Sequence, residues 1–236
     1  FKITEADKSD TILKKWIHRF VRSAADIQYK KAVWNPLVNR YLIKDPLAVF
    51  LSDWLQKKFN MQVVMLVRHP AAFVSSLKRL SWSFDFGSFL RNNDLMKFYL
   101  HDILKGVNIK EQSFIKQGAY LWLCIYHVVQ SFNKSNPSMH LVKHERISSD
   151  PMDEFEQLYD SLGIKFNTRT ENYIVDYMGN SNPVEAKEGQ TFQLKRDSRK
   201  NIKSWKKRLT ADELKNVEEI TRDLAESYYN YKDWKL

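Results

Sequence analysis

The residues best suited to chemistry in this sequence are cations placed where apolar runs stop. Lys44 closes "RYLIK", Arg68 closes "QVVMLVR", and Lys143 with His144 follows "MHLV". A strand that ends on a cation and feeds a helix delivers that charge to the edge where open α/β sheets bind ligands. Helix N-termini arriving at the same edge add unpaired N–H groups and positive dipole ends. Arg68 and Ser76, eight residues later in "RHPAAFVSS", could therefore grip one phosphate. The guanidinium would supply a bidentate fork and the hydroxyl a short donor. The competing reading pairs Arg68 with a carboxylate and leaves Ser75 and Ser76 as ordinary helix residues. The local pattern alone does not separate the two.

A second basic element is "KRDSRKNIKSWKKRL", Lys195 to Leu209, in which eight Lys or Arg residues surround Ser198 and Trp205. Its bland interpretation, favoured for most of the lysines, is a solvated face anchored by Trp205. His140 and His144 would share one face of a strand, but no third ligand is evident, so no metal site is expected. The sequence has no Gly-x-Ser-x-Gly elbow, no Cys/His nucleophile arrangement and no glycine-rich phosphate loop.

The elements that must position these residues follow from periodicity. Arg40–Lys44, Gln62–Arg68 and Met139–Glu145 read as strands, each leading to an Asp-Pro or His-Pro helix start. Pro at the first helical position costs nothing, because its missing N–H would be unpaired there anyway. After the first strand, Leu47, Phe50, Leu51, Trp54, Leu55 and Phe59 fall on one helical face. After the third, Phe155, Leu158, Tyr159 and Leu162 form a stripe ended by Gly163. Helices are also expected over Asn93–Leu104 and Glu111–Phe132. Phe166–Lys195 is weakly patterned, with "GNSNPVEAKEGQ" as an exposed loop. "TADE", Thr210 to Glu213, is a capping box before a helix striped by Leu214, Val217, Ile220, Thr221 and Leu224. Strand–helix alternation implies a parallel sheet covered on both faces, in one domain spanning 1–236.

The totals agree with a folded, anion-seeking protein. The 236 residues are 43% hydrophobic and 14% aromatic, which excludes a disordered chain. A formal charge of +10 favours anionic partners without choosing among nucleotide, nucleic acid, acidic glycan or membrane surface. The single cysteine, Cys124, reads as a buried thiol and precludes an intrachain disulfide, so nothing argues for an oxidising compartment. The longest apolar run, Ala119 to Val129, is too short to span a bilayer. The chain opens at Phe1 with no signal-peptide pattern, and further natural sequence upstream is expected.

These segments resemble, in order, the motifs of sulfotransferases that use 3′-phosphoadenosine 5′-phosphosulfate (PAPS). "VVMLVRHPAAFVSSLKRL" resembles the family's 3′-phosphate-binding strand and helix, with Arg68, Pro70 and Ser76 at the matching positions. "RYLIKDPLAVF" resembles the preceding strand, whose terminal lysine lies near the transferring sulfonate; Lys44 matches it. "HLVKHERISSDPMDEFEQLYDSLGI" resembles the strand–helix in which a tyrosine often contacts adenine, and His144 takes that place. "RDSRKNIKSWKKRLTADEL" resembles the C-terminal segment that brings Ser198, Arg199 and Lys200 to the donor's phosphates. Residues 40–80 and 138–230 carry the resemblance, and the pattern is most similar to bacterial members acting on polysaccharides.

The resemblance implies a P-loop-NTPase-like parallel sheet flanked by helices. It also implies PAPS as donor, a hydroxyl acceptor expected to be a glycan, and no metal. Neither nucleic acid nor a transmembrane segment is expected, and the compartment would be cytoplasmic. Lys44 and Ser198 would serve catalysis; Arg68, Ser76, His144, Arg199 and Lys200 would bind the nucleotide. Two departures stand out. The family's Lys-x-Gly-Thr loop for the 5′-phosphosulfate is absent from the 236 residues. Pro46 occupies the position where cytosolic members place a histidine base, which leaves Glu5, Asp7 and Asp10 as candidates by location only. The alternatives are a non-catalytic polyanion-binding module using Lys195–Arg208, or a nucleotide kinase of the same fold. A kinase would require a phosphate loop and a strand-end carboxylate for magnesium.

Overall fold

A computed structural model describes residues 40, 42–185 and 194–235. The chain divides into two compact units, Phe1–Asp45 and Pro46–Leu236. In the first, Arg40 and residues 42–45 carry no regular structure, and Leu42 is 92% exposed. The strand expected over Arg40–Lys44 is thus not formed among its described residues. A strand exists through its ladder partner, and among the described residues the only ladder joins Val64–Val67 to His140–Lys143. Glu5, Asp7 and Asp10 lie outside the described residues.

The second unit holds the hydrophobic core. A 3₁₀ turn, Pro46–Leu51, runs into α1, Ser52–Phe59. This tighter start rotates the expected apolar stripe, so Leu51, Trp54 and Phe59 are more than half exposed. Val49 and Phe50 pack inward instead. β1 (Val64–Val67) leads to α2 (Pro70–Leu80). Short helical pieces then follow, of which Asn93–Leu104 is continuous but includes a π segment over Met96–Leu100. The long central helix α3 spans Phe114–Ser135. β2 (His140–Lys143), α4 (His144–Ser149), α5 (Pro151–Ser161) and α6 (Thr168–Met178) complete the middle of the unit. A short turn at Ser198–Asn201 precedes α7, Ala211–Ala225.

β1 and β2 are parallel, with Val64 opposite His140 and Val67 opposite Lys143. The fold is therefore α/β, helix-rich with a small parallel sheet. Met65 and Val67 are buried while Val64 and Leu66 are 40% and 48% exposed. Cover on both faces, expected from the apolar run, is met on one face only among the described residues. The buried residues of β1 share one core with α2, α3 and α7, which pack on one another. Gly118 lets α2 and α3 approach, since an added Cβ would sit 3.3 Å from a Val74 methyl.

Helix ends follow the sequence in detail. Gly163, with φ of 60°, takes the left-handed position after α5, and Ile164 N–H donates back to the Tyr159 carbonyl at 2.8 Å. Thr210 and Glu213 close the capping box of α7, at 3.2 and 2.9 Å. α6 lies in a stretch whose pattern promised no helix. It has only Ile174 fully buried, so its apolar signal is weak, and Asn167 caps it through Thr170 N–H at 3.1 Å.

Candidate functional site

The site gathers at the carboxyl end of β1. His69 begins α2 with its own ring: Nδ1 accepts from Ala71 N–H at 3.3 Å. That ring is 3% exposed, stacked on Trp205 at 5.4 Å and edge-packed by Tyr229 and Trp234. Burial pushes the His69 imidazole down to about 4. Its role is therefore to fix the turn as a neutral aromatic block.

The backbone beside it is held from α3 and α4. Trp122 Nε1–H donates to the Arg68 carbonyl at 2.8 Å. The Tyr126 hydroxyl accepts from Arg68 N–H and donates to the Leu66 carbonyl, each at 3.2 Å. Glu145 accepts from His69 N–H at 2.9 Å and from the Tyr229 hydroxyl at 2.8 Å. Each bond to Leu66, Arg68 or His69 joins the strand end to a residue more than fifty positions away, so the turn is held before any ligand arrives.

The Arg68 side chain is half-buried, and its Nε is shielded from solvent with no partner among the described residues. Desolvation lowers its pKa, Glu145 opposes that change, and Arg208 and Arg196 add to it. It remains a guanidinium at any ordinary pH. His144 starts α4, directly after β2. Burial pushes its imidazole down to about 4, and the charge of Arg68 acts in the same direction. Arg68 and His144 are thus brought together, one charged and one neutral.

Ser76 lies half-buried on α2, one residue beyond the fully buried Ser75. It is Ser75, not Ser76, that meets a cation: Arg208 Nη1 donates to its hydroxyl at 3.2 Å. Arg208 is itself positioned by α2, because Lys78 Nζ donates to the Arg208 carbonyl at 2.9 Å while pairing with Glu213 at 2.7 Å. Ser75 and Lys78 are three apart and share a helix face. Arg196 feels the charges of Arg79, Arg208 and Glu185.

Ser198, Arg199 and Lys200 have other partners. Ser198 Oγ donates to the Ser148 carbonyl at 2.9 Å, and Arg199 Nε to the Ser149 carbonyl at 2.7 Å. Lys200 pairs with Asp197 at 3.0 Å. The turn is docked on the carboxyl end of α4, with two donors closing carbonyls that the helix leaves unpaired. His140 Nδ1 lies 3.2 Å from Ser161 Oγ. Trp122 is completely buried and Phe86 is 5% exposed, so both pack the core, whereas Trp82 is 48% exposed. Lys44 is exposed and belongs to the first unit. Sequence reasoning named the run containing Arg196 and Arg208 but not these two residues. The sequence pattern carries the expected strand to Glu145 without giving that residue a role, whereas β2 ends at Lys143; Tyr229 has no local signal.

What the arrangement can do is bind an anion beside a neutral ring. Arg68, Arg196 and Arg208 act on one another there, and Glu145, the carboxylate whose charge acts on Arg68, is already committed to two hydrogen bonds. Among the described residues no helix is long and apolar enough to cross a membrane, and no acidic, histidine or cysteine group is arranged to hold a metal.

Comparison with known proteins agrees with this chemistry. The sequence profile of the family described as "Sulfotransferase domain" matches residues 28–234. No curated protein matches the chain. Among solved structures, the sulfotransferase domain from the curacin biosynthetic pathway is similar, at 15% identity and a TM-score of 0.45. The match covers 85% of this chain and 68% of that one. With a family profile spanning nearly its whole length, the chain belongs to the sulfotransferase domain family.

Proposed function

We propose that this domain transfers a sulfonate from PAPS to a hydroxyl, with a carbohydrate as the acceptor class. The observation that carries the reading is Arg68, a strand-end guanidinium whose shielded Nε has no partner among the described residues. A desolvated charged donor left unpaired is costly, so a site built this way suits a ligand of concentrated negative charge. A nucleotide 3′-phosphate is such a ligand, and family membership supports sulfonyl transfer as the reaction.

In this reading Arg68 and Ser76 hold the 3′-phosphate, and the neutral ring of His144 faces the base. An uncharged imidazole can accept a hydrogen bond or stack without repelling the cations around it. Arg199 and Lys200 reach a phosphate by exchanging the Ser149 carbonyl and Asp197 for it, and Ser198 reaches the phosphate or the transferring sulfonate by leaving the Ser148 and Met178 carbonyls. Lys44 neutralises charge at the transferring group. When bound, PAPS supplies the activated sulfonate; the protein supplies orientation and fixed positive charge. Residues 1–236 belong to one sulfotransferase domain whose reaction needs no metal, and the compartment is the cytoplasm.

The direct test incubates the purified chain with sulfur-labelled PAPS and a panel of polysaccharides. Label on a polysaccharide supports the reading, and label only on small phenols moves the acceptor class. An absence of calorimetric PAPS binding overturns it.

A further inference from the structure

Arg208 combines two relationships that ordinary packing does not require. Its Nη1 is seated on the buried Ser75 hydroxyl, and its Nη2 donates to Glu185 at 2.6 Å. The arginine is 17% exposed and the glutamate 47%, so a buried fork meets a carboxylate arriving from the solvent side. The fork is built in place: Lys78 holds its carbonyl and Ser75 its tip. Glu185, by contrast, comes from the loop after α6. That loop is tied down by Asn182 Nδ2 on the Asp176 carbonyl at 2.8 Å and by Asp197 N–H on the Pro183 carbonyl at 3.0 Å. The cation is fixed by the core, and the anion is delivered by a surface turn.

Arg68, Arg196 and Arg208 act on one another; among the described residues the carboxylates whose charge acts on them are Glu145, at Arg68, and Glu185, at Arg196 and Arg208. Glu145 is committed to His69 N–H and the Tyr229 hydroxyl. Glu185 is thus the exchangeable anion of the cluster, and a carboxylate and a phosphate offer an arginine fork the same pair of acceptor oxygens.

We propose that Arg208 is a further phosphate-binding residue beside Arg68, and that Glu185 is its internal counter-ion, displaced by the phosphate of the incoming nucleotide. This rests on the nucleotide reading above. Glu185 keeps the arginine cluster from repelling itself in the free protein. On binding, the nucleotide phosphate takes the Arg208 fork and the Glu185 carboxylate moves into water. The exchange sets an affinity penalty that depends on one surface residue and favours ligands with a phosphate at that position over those without.

The test is calorimetric titration of the full chain with adenosine 3′,5′-bisphosphate and, separately, with adenosine 5′-monophosphate. Glu185→Gln should tighten the bisphosphate about threefold to tenfold, the scale of a partly exposed ion pair, and leave the monophosphate unchanged. Arg208→Gln should weaken the bisphosphate at least about tenfold, as for a lost charge-assisted contact. In the double variant the glutamate effect should disappear. Thermal melting checks that Arg208→Gln is folded, and Glu185→Gln, altered at a half-exposed carboxylate, decides the matter independently. Unchanged or weaker bisphosphate binding by Glu185→Gln, with the wild type still preferring bisphosphate, overturns this proposal alone. No preference in the wild type overturns the nucleotide reading and this proposal together.

Discussion

The indole of Trp122, buried in the middle of α3, donates a 2.8 Å hydrogen bond to the carbonyl of Arg68. The core therefore grips the backbone of the residue whose side chain faces the site. Replacing Trp122 by Phe keeps much of the apolar contact and leaves that carbonyl without its donor. The expected loss is about 1–3 kcal/mol of stability, read from urea midpoints. Bisphosphate affinity should fall as well, because the strand end is no longer held. A variant as stable as the wild type contradicts the structural role assigned here.

The approach of α2 and α3 at Gly118 gives a second expectation. Its missing side chain faces Val74 and Leu77 on α2, at 3.3 and 3.4 Å from the position a Cβ would take. Gly118→Leu must push α2 outward, at a cost of about 1–3 kcal/mol despite the gain in helix propensity. Since α2 carries Ser75, Ser76 and Lys78, the same variant should bind the bisphosphate less well. Full stability in a melting experiment contradicts this packing.

The β1–α2 unit was legible because its signals are local. An apolar run, a strand-end arginine and His-Pro at a helix start all lie within a dozen residues, and His69 caps as its position suggests. The capping box at Thr210 was legible for the same reason. What escaped the sequence is non-local. Ser75 meets Arg208 across 133 positions and Glu145 meets Tyr229 across 84, and no periodicity encodes such pairs. Spacing singled out Ser76, whereas helical phase turns Ser75 inward. α6 escaped because one fully buried residue leaves almost no stripe to see.

Two buried histidines set a pH dependence. His69 and His144 are each held near 4 in the fold, against an ordinary value of 6.5, by burial first. Asp233 opposes this at His69 and Lys206 reinforces it; at His144 the reinforcement comes from Arg68. Because both values are depressed, the unfolded chain binds these protons first as pH falls. Stability is complete above about 6.5 and declines toward 4, by on the order of 1–3 kcal/mol per histidine. Urea midpoints at pH 7.5 and 4.5 measure the decline, and His69→Gln should show a shallower one. Equal slopes in the two proteins exclude His69 as a contributor.

The central claim is that Arg68 binds the 3′-phosphate of a nucleotide. Calorimetry with adenosine 3′,5′-bisphosphate tests it most directly, comparing wild type with Arg68→Ala. Loss of a charge-assisted contact predicts weaker binding by about 2–4 kcal/mol, with adenosine 5′-monophosphate much less affected. The same bisphosphate affinity in the two proteins would contradict the account.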